Sequence, residues 1–178
     1  MSLFSPIICV AICDNSSRYL FAKTFGTAAN DETFLTTFSK SVLSRTKKTA
    51  NDGNCIYADD MMVVYRNIGS IFVVVAADID TGNELSLSTF VEKMGNALRN
   101  LDPEGQALNR TTITSHLGQI AIMIDESVQP VANGGGMITL ANPPNLAEGF
   151  ASIGEGSAGT MIASGLNIAK GIGRALLR

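Results

Sequence analysis

Apolar and polar positions alternate along this chain in blocks that change period several times. Pro6 to Ile12 (PIICVAI) is apolar on both faces and ends in the turn cluster Asp14-Asn15-Ser16-Ser17. Tyr19 to Phe25 (YLFAKTF) follows, short and aromatic, and stops at Gly26. Two such runs around a polar turn predict a hairpin, and the first run predicts a central strand. From Asn30 the period becomes helical: Phe34, Leu35, Phe38, Val42 and Leu43 recur on one stripe, with Asn30 or Asp31 as the capping residue. Ser44 to Gly53 is polar and basic and reads as a surface loop.

Three short runs come next, Cys55 to Ala58, Met61 to Tyr65 and Ile71 to Ala77, separated by Asp59-Asp60 and by Arg66-Asn67-Ile68-Gly69. They predict a meander, and the uniformly β-branched last run belongs in the middle of a sheet. A second helix is expected after Asn83, with the stripe Leu87, Phe90, Val91, Met94, Ala97, Leu98 and Leu101, closed by Asp102-Pro103. A third stripe runs Ile113, Leu117, Ile120, Ile124 and Val128 and stops near Pro130. The order is β-β-α-β-β-β-α-α, which predicts an α/β (α+β) fold with an antiparallel sheet covered by helices.

Domain limits follow from the same pattern. Residues 1–130 form the folded unit, and from there to residue 160 the composition shifts to Gly, Ala, Ser and Pro. This second segment reads as an irregular linker in which only Met137 to Leu140 is strand-like. Residues 161–178 regain helical period, with Met161, Ile168, Ile172 and Leu176 on one face and Lys170, Arg174 and Arg178 on or beside the other. These three cations are candidates for contact with a membrane surface or a partner. Near an anionic membrane each would contribute about 1 kcal/mol, so alone they make a weak anchor.

Composition narrows the function. Of 178 residues 46% are hydrophobic and only 16% charged, a low charge content that fits a surface shared with a partner. A net charge of -3 argues against a nucleic-acid binder. The three cysteines, Cys9, Cys13 and Cys55, have no paired spacing, so free thiols in a reducing compartment are expected rather than a disulfide framework or a zinc site. Met1 to Cys13 lacks the basic start of a signal peptide, and the longest apolar stretch is far below the roughly 20 residues of a membrane helix. A cytoplasmic protein is the expectation.

Candidate chemistry is sparse. His116 is the single histidine and reads as structural. Cys9 and Cys13 read as packing, Asp59-Asp60 as a turn, and Gly134-Gly135-Gly136 as a glycine turn without the Lys-Ser/Thr of a phosphate loop. No enzyme, metal, cofactor or small-molecule substrate is expected. The candidate contacts are instead aromatics on the strands, Tyr19, Phe21, Phe25 and Tyr65, each with packing in the core as its alternative.

The ordered motifs resemble the coatomer zeta subunit family. Cys9 to Asn15 with Tyr19 to Lys23 (CVAICDN, YLFAK) is similar to that family's opening strand and "LDN...RLFAKYY" hairpin. VVYR at Val63 to Arg66 resembles its "VVYK" strand, and NELSL at Asn83 to Leu87 its "NELML" helix start. Leu117 to Val128 with Gly134 to Leu140 looks like its "EGLFLAVDEIVDGGVIL" region, and LNIAKGIGRALLR at Leu166 to Arg178 its terminal "LQSAKEQIKWSLLR". The chain departs from the family in lacking much of the charge after Gly136 and in having no Trp. The resemblance implies a longin-like fold, with a five-stranded antiparallel sheet, one helix on one face and two on the other. It also implies a non-catalytic subunit of the COPI coat, paired with the gamma subunit and recruited through an Arf-family GTPase. Such a subunit lies in the cytoplasm and peripherally on Golgi membranes, in retrograde and intra-Golgi transport. A small sigma-type chain of a clathrin adaptor, or another longin-domain trafficking or tethering subunit, is the alternative of the same shape. A longin SNARE would need a C-terminal heptad run, which the sequence does not contain.

Overall fold

The computed structural model describes residues 6–46, 54–101, 108–131 and 134–138. The first apolar run is strand β1 (Ile7–Asp14) and the aromatic run is β2 (Tyr19–Thr24), paired antiparallel. Asp14 builds the turn between them: its Oδ1 accepts the backbone N–H of Ser16 at 2.8 Å and of Arg18 at 3.0 Å. The meander follows as β3 (Asn54–Ala58), β4 (Met61–Ile68) and β5 (Ile71–Asp78). All pairings are antiparallel, in the order β3-β4-β5-β1 with β2 also on β1. β1 and β5 therefore both have strand neighbours on each side, and their runs are apolar on both faces because Cys9 to Cys13 and Ile71 to Ala77 are buried on both.

Two boundaries differ from the sequence expectation. Arg66-Asn67-Ile68 does not separate strands; it continues β4 in register with Val73, Phe72 and Ile71, because Ile68 is itself buried. The turn contracts onto Gly69 and Ser70, where Gly69 takes the left-handed φ of 68° that glycine adopts without strain. The sheet also has seven strands rather than five. Beyond the end of β2 the chain leaves the sheet at Gly26, and the vacated stretch of β1 is taken by a second hairpin. This is β6 (Val128–Pro130) with β7 (Gly136–Ile138), joined to β1 by the pair Ile7 and Gly136. Gly136 to Ile138 is thus part of the sheet, in keeping with the strand-like character expected from Met137 on, and only its start at Gly136 extends that expectation. The remainder of 131–160 outside the described residues, and all of 161–178, lie beyond what the structure describes.

A short 3-10 turn (Gly26–Asn30) leads to α1 (Phe34–Phe38), a π-helical turn (Ser39–Leu43) and α2 (Ser44–Thr46). Asp31 prepares the start, its Oδ1 accepting from the backbone N–H of Thr33 at 2.8 Å and from its hydroxyl at 2.7 Å. Ser44 to Thr46, expected in a loop, remains helical because Thr46 is buried and its hydroxyl donates to the carbonyl of Leu43 at 2.8 Å. Phe38, Val42 and Leu43 of this segment pack on Cys9, Ala11, Cys13, Val63, Val74 and Ala76, closing one face of the sheet.

α3 (Glu84–Arg99) packs on β4 and β5. Asn83 caps it, accepting the backbone N–H of Ser86 at 3.0 Å. Every member of the expected stripe from Leu87 to Leu101 is buried. Each fully covered Leu, Phe, Val or Met contributes about 1.5–3 kcal/mol.

The third stripe is two helices, α4 (Arg110–Ser115) and α5 (Leu117–Ser127). His116, at φ −117° and ψ 20°, breaks them. The cause is local competition for backbone carbonyls. The Ser115 hydroxyl donates to the carbonyl of Thr112 at 3.0 Å, and His116 Nδ1 lies 2.8 Å from the same oxygen. The kink throws Leu117 out of the stripe to 37% exposure, while Ile113, Ile120 and Ile124 stay fully buried.

Candidate functional site

The four aromatics singled out on the strands do not form one surface. Tyr65 stands opposite Val74 on the face that α1 covers and is 3% exposed, so it belongs to the core. Phe25 is equally buried, against Gly136. Both fall to the packing alternative, and neither offers surface to a partner.

Tyr19 and Phe21 are half-buried on β2. Two residues apart on a regular strand they would share a face. An irregularity between Ile12 and Cys13 shifts the register, so Tyr19 pairs with Cys13 and Phe21 with Ile12, on opposite faces. Tyr19 reaches into the α1 side, its hydroxyl donating to the carbonyl of Leu35 at 2.8 Å. Burial raises its phenol pKa, and the neighbouring Cys9 and Cys13 add to the rise. Phe21 shares its face with Lys23, which is ion-paired with Asp125 of α5 and stands 5.4 Å over the ring of Phe25. Lys170, Arg174 and Arg178 lie outside the described residues.

The groups considered for chemistry are accounted for by packing and turns. Burial pushes the Cys9 thiol up to about 12, and it raises Cys13 likewise, reinforced by Cys9 and Asp14. These thiols are protonated and inert near neutral pH. Half-buried Cys55 is also raised, first by burial and then by Glu84. His116 is tied to the Thr112 carbonyl at the helix break. Asp59 and Asp60 form the β3–β4 turn at φ 50° and 59°. Gly134 and Gly135 turn the β6–β7 hairpin at φ 101° and 93°. Among the described residues no cluster of His, Cys, Asp or Glu is placed to hold a metal ion, and no helix is long and apolar enough to cross a membrane.

The large apolar side chains most exposed among the described residues are others than those four. Leu85 is 77% exposed on the first turn of α3, Tyr57 is 53% exposed on β3, and Ile122 is 46% exposed on α5. On α5, Ile122 stands out among the exposed Gly118, Asp125 and Glu126 of the outward side, while Leu117 is uncovered at the helix start. The signal was present in LGQIAIMI, where Ile120, Ile122 and Ile124 cannot share one helical face. Neither a family model nor a curated protein matches this chain.

Proposed function

We propose that this chain is a non-catalytic small subunit of a vesicle coat, a longin-like domain held by a larger partner, as its resemblance to the coatomer zeta subunit implies. The observation that carries the reading is where the resembling residues fall. YLFAK lies in β2 beside the central strand and VVYR lies within β4. Asn83 of NELSL is the residue whose side chain caps α3. Separate motifs, collinear with one family and each seated in a different element, are what a shared fold leaves in a sequence. The path β3-β4-β5-β1-β2, with α1 on one face and α3 packed on β4 and β5, supports this reading, which takes β6 and β7 as an addition to five strands.

In this reading the partner is the gamma subunit of coatomer, and through it the chain joins an Arf-recruited coat on Golgi membranes. Co-expression with a gamma-type large chain is the test, and a stable equimolar complex on gel filtration is expected. A chain that stays monomeric beside that partner would sink the proposal. Recovery with the large chain of a clathrin adaptor instead would favour the sigma-type alternative.

A further inference from the structure

We propose that the groove between α1 and the β3–β4 turn docks a basic amphipathic segment of a partner protein. The groove encloses about 570 Å³, within the range of ligand pockets. Its floor is apolar, with Ile8, Phe34, Phe38 and Met61. Phe34 and Phe38 stack at 5.6 Å between ring centroids and give it a flat aromatic wall.

Its charge is of one sign. Asp31, Asp59, Asp60 and Asp78 line it, from three places in the fold (the start of α1, the β3–β4 turn and the end of β5), and no Lys or Arg does. The ion pairs among the described residues lie elsewhere, at Arg18–Asp14, Lys23–Asp125 and Arg66–Glu92, and none of the four groove carboxylates is in one. Hydrogen bonds from the Thr33 hydroxyl and backbone N–H hold the Asp31 carboxyl below its usual range, so it keeps its charge.

The arrangement distinguishes a peptide from an ion. No set of three acidic, His or Cys groups among the described residues converges as metal ligands do. The carboxylates are spread around an apolar floor. Their complement is a chain that carries separated cations beside aliphatic side chains: the aliphatic groups fill the floor and Lys or Arg meets the rim.

The test uses the full chain and a fluorescently labelled peptide built from repeated Leu-Lys-Lys-Leu units, with the Leu-Glu-Glu-Leu peptide as its charge-reversed control. Saturable binding of the Lys peptide alone is expected, weakening as salt screens the rim. Asp59→Asn with Asp60→Asn keeps the turn, since Asn tolerates left-handed backbone, and should weaken binding about tenfold at low salt. Glu84→Gln with Glu92→Gln removes the same charge from α3 and should leave affinity unchanged. Matching thermal melts certify the variants, and the salt titration of the unaltered chain reads the charge dependence without any substitution. Equal loss in both double variants would mean diffuse attraction to an acidic protein and overturn the proposal. Unchanged binding in the Asp59/Asp60 variant, or equal binding of the Glu peptide, would overturn it too. Co-purification of a large coat chain is a separate measurement, so either result stands or falls without the other.

Discussion

Gly26 and Gly135 meet so closely that a Cβ on Gly26 would lie 2.3 Å from the backbone nitrogen of Gly135. This contact is where β2 leaves the sheet and the second hairpin arrives. Gly26 also holds φ at 65°, in the left-handed region. Gly26→Ala therefore combines a backbone clash, which no rotamer relieves, with the left-handed cost of about 1–2 kcal/mol. The expected loss is about 2 kcal/mol or more, read as a lowered denaturation midpoint at unchanged m-value. Gly134, with open space around its Cβ direction but φ at 101°, should lose less on the same change.

Tyr19→Phe removes one hydroxyl and leaves the ring. The hydroxyl ties β2 to α1 through the Leu35 carbonyl at 2.8 Å. Deleting it leaves that carbonyl without this donor in a half-buried place, so stability should fall by about 1 kcal/mol. Chemical denaturation measures it. A neutral result would mean that water replaces the phenol there.

Asn83→Ala tests the start of α3. The amide oxygen satisfies the otherwise orphaned N–H of Ser86, and its loss should cost about 1 kcal/mol. Asn83→Ser should restore most of it, as Ser also caps.

What the sequence made legible followed the length of each periodic signal. β1, β5 and α3 carry eight, eight and sixteen residues, enough for a pattern to repeat, and they lie where their patterns placed them. β6 and β7 carry three residues each, too few to show a period: in the sequence Val128 reads as the end of a helical stripe, and Met137 to Leu140 as an isolated strand-like stretch with no partner. The break at His116 depended on Ser115 and His116 competing for one carbonyl, which an apolar stripe does not record. Tyr65 reads in the sequence either as a contact or as core, and its register against Val74 turns it under α1. The acidic groove was illegible for a different reason. Asp31 and Asp78 are far apart in sequence and come together only when the sheet forms.

The two interior thiols set an alkaline limit. Cys9 is raised to about 12 by burial, from an ordinary value of 9.0, and Cys13 shifts in the same direction. In the unfolded chain both ionise near 9, so above that pH the unfolded state holds fewer protons than the folded one. Folding stability is then fully present below about pH 8 and falls as pH rises, by about 1.4 kcal/mol per pH unit for each thiol. Unfolding curves between pH 8 and pH 11 should show this slope, and Cys9→Ala should remove Cys9's share of it. Thiol labelling of the native chain should modify Cys55 first, as Cys9 and Cys13 are sealed.

Val74→Asp probes the centre of the sheet. Val74 is 1% exposed, pairs with Ala11 on one side and Tyr65 on the other, and packs in the cluster under α1. None of the cluster residues offers a cation to a carboxylate there. The group must either remain charged in a dry site or take up a proton at neutral pH, and either course costs several kcal/mol. Against a total stability of about 5–15 kcal/mol for a domain, that is enough to abolish a cooperative transition or send the protein to the insoluble fraction. Val74→Ile, which keeps the β-branch and adds one methylene, should cost about 1–3 kcal/mol by overpacking and remain soluble. A normal melting curve for the Asp variant would mean that the face beneath α1 admits water, and the packing of Phe38 and Val42 over β5 would need a different account.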